Sequence, residues 1–138
     1  MFFKKSDIQD KKNDISKVAA LLIHAAKIDE NYSSQEEEII KKTLLIIGAN
    51  NENIDEIIKS GKKFEENTNQ ILDFTKEVKY MSEDNKIKIV ETLWQIIYSN
   101  KVADIYETSL MRRLAGLLYV DNKVMGNIKE RIKKEKLL

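Results

Sequence analysis

The fold of this chain is decided by a stretch of sequence that occurs twice. The first copy is AAKIDENYSSQE, residues 25–36, and the second is IIYSNKVADIYE, residues 96–107, which begins 71 residues later. Each copy has an Asp or Asn at the end of an apolar run, a helix-starting residue four positions later and a glutamate three positions after that. These residues are Asp29, Ser33 and Glu36 in the first copy and Asn100, Asp104 and Glu107 in the second. The repeat predicts the same helix–corner–helix unit in both halves of the chain.

Length and composition indicate a single globular domain over residues 1–138, with a core over about 14–134. A chain of 138 residues buries roughly two-thirds of the surface that it exposes when unfolded. Charged residues make up 34% of the chain but nearly cancel, to +1, which argues against a dedicated nucleic-acid-binding protein. There is no cysteine, and therefore no disulfide or Cys-ligated metal. No apolar run reaches the length of a membrane span, and we expect a cytoplasmic protein.

The scarcity of proline and glycine and the spacing of the apolar residues favour an all-α fold. The chain has no proline and only four glycines, and these two residue types interrupt strand-rich folds far more often. Apolar residues recur at helical spacing, as in Ile15, Val18, Ala19, Leu22 and Ala26. We expect a bundle of about five to seven helices, built from two similar helical hairpins. The stretch 53–80 is less regular and predicts either one interrupted helix or two shorter ones.

Several helix starts carry the pattern of a capping box, in which a cap side chain and a Glu three residues later satisfy each other's backbone amides. The pairs are Ser33 with Glu36, Asn53 with Glu56, and Asp104 with Glu107. Loss of such a cap typically costs ~1 kcal/mol. Gly48 follows the second helix at the position where a positive φ is favoured.

Oxygen-bearing side chains at the two corners form a candidate site for a divalent cation of the calcium or magnesium type. The candidate ligands are Asp29, Glu36, Asp104 and Glu107. An EF-hand is rejected, because its glycine position holds Ser34 and its bidentate glutamate position holds Ile40. In the alternative interpretation these residues are only helix caps and corner formers. Asp29 is the exception, since a carboxylate at a helix C-terminus is disfavoured by the helix dipole unless a cation or donor is near.

Other residues that could carry chemistry have plainer interpretations. His24 is the only histidine and is expected to be structural, and Trp94 is expected to be buried on an apolar helix face. The basic run 129–136 is interpreted as a solvated helix end, with weak nucleic-acid binding as an alternative. A hydrolase that uses acidic corner residues is a second alternative, but the chain has no phosphate-binding glycine loop and no nucleophile elbow.

The two corners and the helix after the second one resemble the tellurite-resistance protein B (TerB-like) family. The resemblance is carried by IDENYSSQE, residues 28–36, by SNKVADIYE, residues 99–107, and by the arginine-containing LMRRLAGLLYV, residues 110–120. It extends over roughly residues 14–134. The chain departs from the family pattern at the corner glycines, which are Glu30 and Lys101 here, and at the second Asp, which is Asn100.

The resemblance implies an all-helical domain without enzymatic activity, a stress-associated scaffold or protein-interaction module. It also implies divalent-cation binding at the corners. Because Asn100 and Lys101 weaken a cation site at the second corner, the first corner is the better candidate. The expected partner is a protein; no nucleic-acid partner is expected.

Overall fold

The computed structural model describes residues 5–28, 33–68, 71–100 and 105–137, and the side chains of 15–28, 33–68, 71–99 and 108–135. These residues form seven α-helices, a 3₁₀ turn at Tyr98–Asn100, and no strand. The helices are α1 (Lys5–Lys27), α2 (Ser34–Ile47), α3 (Ile54–Asn67), α4 (Leu72–Lys79), α5 (Glu83–Ile97), α6 (Ile105–Leu117) and α7 (Asn122–Leu137). Within those ranges, no helix has the length and apolar character needed to cross a membrane. The predicted all-α bundle is confirmed, and the irregular stretch 53–80 forms two helices.

Helices α1 and α5 form the centre of the bundle. Between Val18 and Ala26, every side chain of α1 except His24 is buried, and α5 is almost as completely buried from Ile89 to Ile97. A helix that is apolar all round is stable only when other helices surround it. Helices α2, α3 and α4 pack on α1, α7 packs on α5, and the two central helices also contact each other.

The duplication continues past the predicted corners into the end of the second helix of each half. After α2, the Ala49 amide donates to the Leu44 carbonyl at 2.9 Å. After α6, the Val120 amide donates to the Ala115 carbonyl, also at 2.9 Å. Both residues of the second pair lie 71 positions after those of the first. The bond spans five residues and is the one that closes a Schellman motif, so both helices end in the same way.

The third helix of each half also begins in the same way. The Asn50 side-chain oxygen accepts a hydrogen bond from the Glu52 amide at 2.9 Å, and the Asp121 carboxylate accepts one from the Lys123 amide at 2.7 Å. Buried apolar residues correspond at the same spacing: Leu22 with Leu93, Ile40 with Met111, Ile54 with Met125, and Ile57 with Ile128. The repeated unit is therefore three helices, α1–α3 and α5–α7, with α4 between them.

Tyr119 occupies the position at which the first half has Gly48. Both residues have positive φ, 139° for Gly48 and 57° for Tyr119. A non-glycine residue in this region costs ~1–2 kcal/mol. The Lys79 ammonium lies 4.4 Å from the centre of the Tyr119 ring, and a hydrogen bond to the Tyr119 side chain raises the pKa of this lysine above its usual 10.5. The cation–π contact offsets part of the backbone strain.

The predicted helix caps have mixed outcomes. The capping box of Ser33 and Glu36 is confirmed, and so is the positive-φ position of Gly48. The capping box at Asn53 is wrong. The Asn53 side chain makes no cap hydrogen bond to α3. Its oxygen instead accepts a hydrogen bond from the backbone amide of Asn50, in the turn before the helix, at 2.8 Å. The sequence analysis missed Ser82, whose hydroxyl accepts from the Asn85 amide at the start of α5.

Candidate functional site

Glu36 is the described member of the predicted cation site, and it is buried at the start of α2. Its side chain is 4% exposed. One carboxylate oxygen, Oε1, accepts hydrogen bonds from the Ser33 amide and hydroxyl, each at 3.1 Å, while the Glu36 amide donates to Ser33 Oγ at 3.1 Å. The N-terminal end of the α2 dipole favours the negative charge here. The capping box thus holds a carboxylate rigidly beside the first corner.

The other three predicted ligands fall outside the described side chains. Asp29 and Asp104 lie in the gaps between the described ranges, and Glu107 lies in α6 without a described side chain. Cation binding by the candidate residues at either corner therefore stays a prediction. Among the side chains that are described, no three of His, Cys, Asp or Glu cluster in a way that could hold a metal ion.

The end of α1 nevertheless lies beside α6, the helix that follows the second corner. Ile28 lines an open cavity of about 440 Å³ together with Ser109, Leu110 and Arg113 of α6. In the sequence, Asp29 follows Ile28 directly, and Glu107 comes two positions before Ser109. The described residues that line this one cavity are therefore close in sequence to both corners, although the repeats are 71 residues apart.

His24 makes its polar contact with a residue that the sequence analysis did not pair with it. The His24 Nδ1 atom lies 3.4 Å from Glu65 Oε1, and the Lys27 ammonium lies 2.9 Å from Glu65 Oε2. Glu65 belongs to α3, 41 residues away along the chain, so no local pattern could have indicated this partner. The contact links α1 to α3 and agrees with a structural role for His24.

Adjacent arginines of α6 line two different cavities. Arg113 lines the cavity beside Ile28, whereas Arg112 lines one against Trp94 of α5. The paired arginines contributed to the family resemblance, but the sequence alone could not show which cavity each of them lines. Their separation follows from the helical rotation of about 100° per residue.

Comparison with known proteins agrees with this architecture. The family model described as "Tellurite resistance protein TerB" matches residues 16–130, which run from within α1 into α7 and include most of both three-helix units. No curated protein and no solved structure matches the chain. TerB is not a known family of enzymes. Since the match covers most of the sequence and both copies of the repeat, the chain belongs to the tellurite resistance protein TerB family.

Proposed function

We propose that this chain is a non-enzymatic helical module that binds a protein partner, and that its first corner holds a divalent cation of the calcium or magnesium type. The observation that carries the cation part is the buried, rigidly held carboxylate of Glu36, seven residues after Asp29 in the sequence. Hard divalent cations prefer such oxygen ligands. The approach of α1 to α6 supports a contribution from Asp104 or Glu107 of the second corner.

The partner-binding part is supported by apolar side chains on the outer surface of α2. Ile46 is 60% exposed and its neighbour Leu45 is 38% exposed. Exposed apolar patches on a soluble domain often mark interaction sites. Hydrolysis at the acidic corners is the weaker alternative, because the only histidine contacts Glu65 in a structural link between helices. A cytoplasmic location remains a prediction from the sequence.

The cation proposal predicts a higher melting temperature in the presence of metal. A bound ligand stabilises the folded state by ~2.7 kcal/mol at a hundredfold excess over its dissociation constant. We expect calcium, magnesium or manganese at millimolar concentration to raise the melting temperature of the native chain. Asp29→Asn should abolish the rise, because it removes the ligand least explained by capping. Glu36→Gln should reduce the rise and also weaken the cap.

Ser82→Ala is the matched control for this experiment, because the Ser82 hydroxyl caps α5 and lies outside both corners. It should lower the free energy of unfolding by the usual ~1 kcal/mol of a lost cap, and with it the melting temperature. It leaves the capping box of Glu36 in place, so the increase on adding metal should persist. If calcium, magnesium, manganese and zinc all leave the native melting curve unchanged, the cation part of the proposal is wrong and the corner residues are caps.

The partner proposal predicts that capture of a specific protein depends on the α2 surface. We expect the immobilised native chain to retain a discrete protein from native lysate, and the double variant Leu45→Ser, Ile46→Ser to lose it. Leu72→Ser, on α4, is the control, because Leu72 is also 48% exposed but lies on another helix. Equal capture by all three proteins would contradict a partner site on α2. Repeating the capture with a chelator shows whether the cation is needed.

A further inference from the structure

Another cavity lies among the last three helices, α5, α6 and α7. It has a volume of about 330 Å³. Its apolar lining is Trp94, Met111 and Met125, and its polar lining includes Thr108, Arg112, Asn122 and Lys129. The volume lies within the range of small-ligand sites, which combine apolar walls with a few convergent polar groups.

Trp94 forms a buried wall of this cavity. The residue is 2% exposed. The Lys129 ammonium lies 5.5 Å from the centre of the Trp94 ring.

In the first half of the repeat, the two positions that correspond to Trp94 and Lys129 are aliphatic. The counterparts of Trp94 and Lys129, 71 residues earlier, are Ile23 and Ile58, which are 0% and 4% exposed. Two aliphatic side chains therefore fill the first half where the second half has an indole and an ammonium. The indole and the ammonium are therefore features of the second half and not requirements of the three-helix unit.

The charges differ between the halves in the same place. In the first half, the Lys41 ammonium lies 3.5 Å from the Asp55 carboxylate. Their counterparts in the second half are Arg112 and Gly126, so the cation is kept and the carboxylate is missing. Neither Arg112 nor Lys129 makes an ion pair with a described side chain. The second half thus has two cations beside the apolar side chains of the cavity.

We propose that this cavity binds a small organic anion. Its carboxylate pairs with Arg112 and Lys129, in the place that the Asp55 carboxylate has in the first half. Its apolar body lies against Trp94, Met111 and Met125. Guanidinium and ammonium groups together suit a carboxylate, and charge-assisted hydrogen bonds are the stronger ones.

The test uses the emission of Trp94, which is the only tryptophan of the chain. Benzoate and hexanoate are titrated at constant ionic strength, with sulfate as the inorganic anion. We expect a saturable change in emission with both carboxylates. Arg112→Gln and Lys129→Gln should each weaken binding at least tenfold, whereas Lys133→Gln, an exposed lysine of α7 that does not line the cavity, should bind as the native chain does.

Gly126→Asp restores the missing carboxylate and gives a second, independent arm. A Cβ atom added at Gly126 meets nothing within 4 Å, so the substitution fits the helix. The new side chain should pair with Arg112, raise the melting temperature and abolish binding of benzoate. Unchanged benzoate binding by Gly126→Asp, equal affinity for sulfate, or an emission that no carboxylate alters would each overturn the proposal.

Discussion

Replacing Trp94 with alanine is expected to lower the free energy of unfolding by about 3–5 kcal/mol, the usual cost of deleting a large buried aromatic side chain. Trp94 is 2% exposed on the central helix α5, and its ring stacks on Tyr98 with 5.9 Å between ring centres. The deletion would enlarge the neighbouring cavity and remove the apolar surface under Lys129. Because domains are stable by only about 5–15 kcal/mol, the loss is a large fraction of the total.

The measurement is urea unfolding followed by circular dichroism at 222 nm, which does not depend on the tryptophan itself. Trp94→Phe is the control, since it keeps an aromatic ring in the core and should cost much less. The native chain should also show the blue-shifted emission of a buried indole. A loss below about 1 kcal/mol in Trp94→Ala, or the emission of an indole in water, would contradict the burial of this residue.

Replacing Gly61 with valine is expected to cost about 1–3 kcal/mol, because it overpacks the contact between α3 and α1. A Cβ atom at Gly61 would lie 2.7 Å from the Ala19 Cβ atom, 3.1 Å from the Ser16 carbonyl oxygen and 3.2 Å from the Ala20 amide nitrogen. Two of these neighbours are backbone atoms of a central helix that is packed on all sides. Helix α1 cannot move away without disturbing its other contacts.

Alanine at two glycine positions separates crowding from helix propensity. Gly61→Ala and Gly116→Ala both replace a helical glycine, and the propensity gain in each is ~1 kcal/mol. At Gly116 an added Cβ meets nothing within 4 Å, so that variant should be more stable than the native chain. Gly61→Ala should be less stable than Gly116→Ala in the same urea titration. Equal stability of the two alanine variants would show that α3 approaches α1 less closely.

Local sequence patterns predicted the features of this fold that depend on local physical chemistry. Apolar spacing indicated the helices, the Ser33–Glu36 pair indicated a capping box, and Gly48 indicated a helix end; the structure has all three. A helix was predicted within the stretch 53–80, but the membership of a third helix in each repeat was not. Its second copy begins after Tyr119, and a tyrosine does not indicate a residue with positive φ. The capping box at Asn53 failed because the amide of Asn50 competes for the same oxygen.

The candidate site was less predictable, since side chains that meet there come from distant parts of the chain. The spacing between Ser33 and Glu36 predicted the capping box of Glu36. The contact of His24 with Glu65, in contrast, depends on how α3 crosses α1. Lys41 of the first unit pairs with the Asp55 carboxylate, whereas its counterpart Arg112 has Gly126 at the position of that carboxylate. This difference depends on the correspondence between the two three-helix units and is not apparent in either unit alone. The register of a repeat can therefore reveal differences that neither half shows alone.

The central position of α1 and α5 has a consequence for how the chain folds. Helix α1 belongs to the first repeat and α5 to the second. The two repeats also meet where the buried hydroxyls of Thr43, in α2, and Thr92, in α5, lie 2.5 Å apart. Neither three-helix unit can complete its own core, because part of the cover of each central helix comes from the other unit. While only the first unit has emerged from the ribosome, the bundle is therefore incomplete. The stable domain forms only after the second unit emerges. We therefore expect the duplicated architecture to make folding a late, all-or-none event in synthesis, because short helices are marginal until they pack.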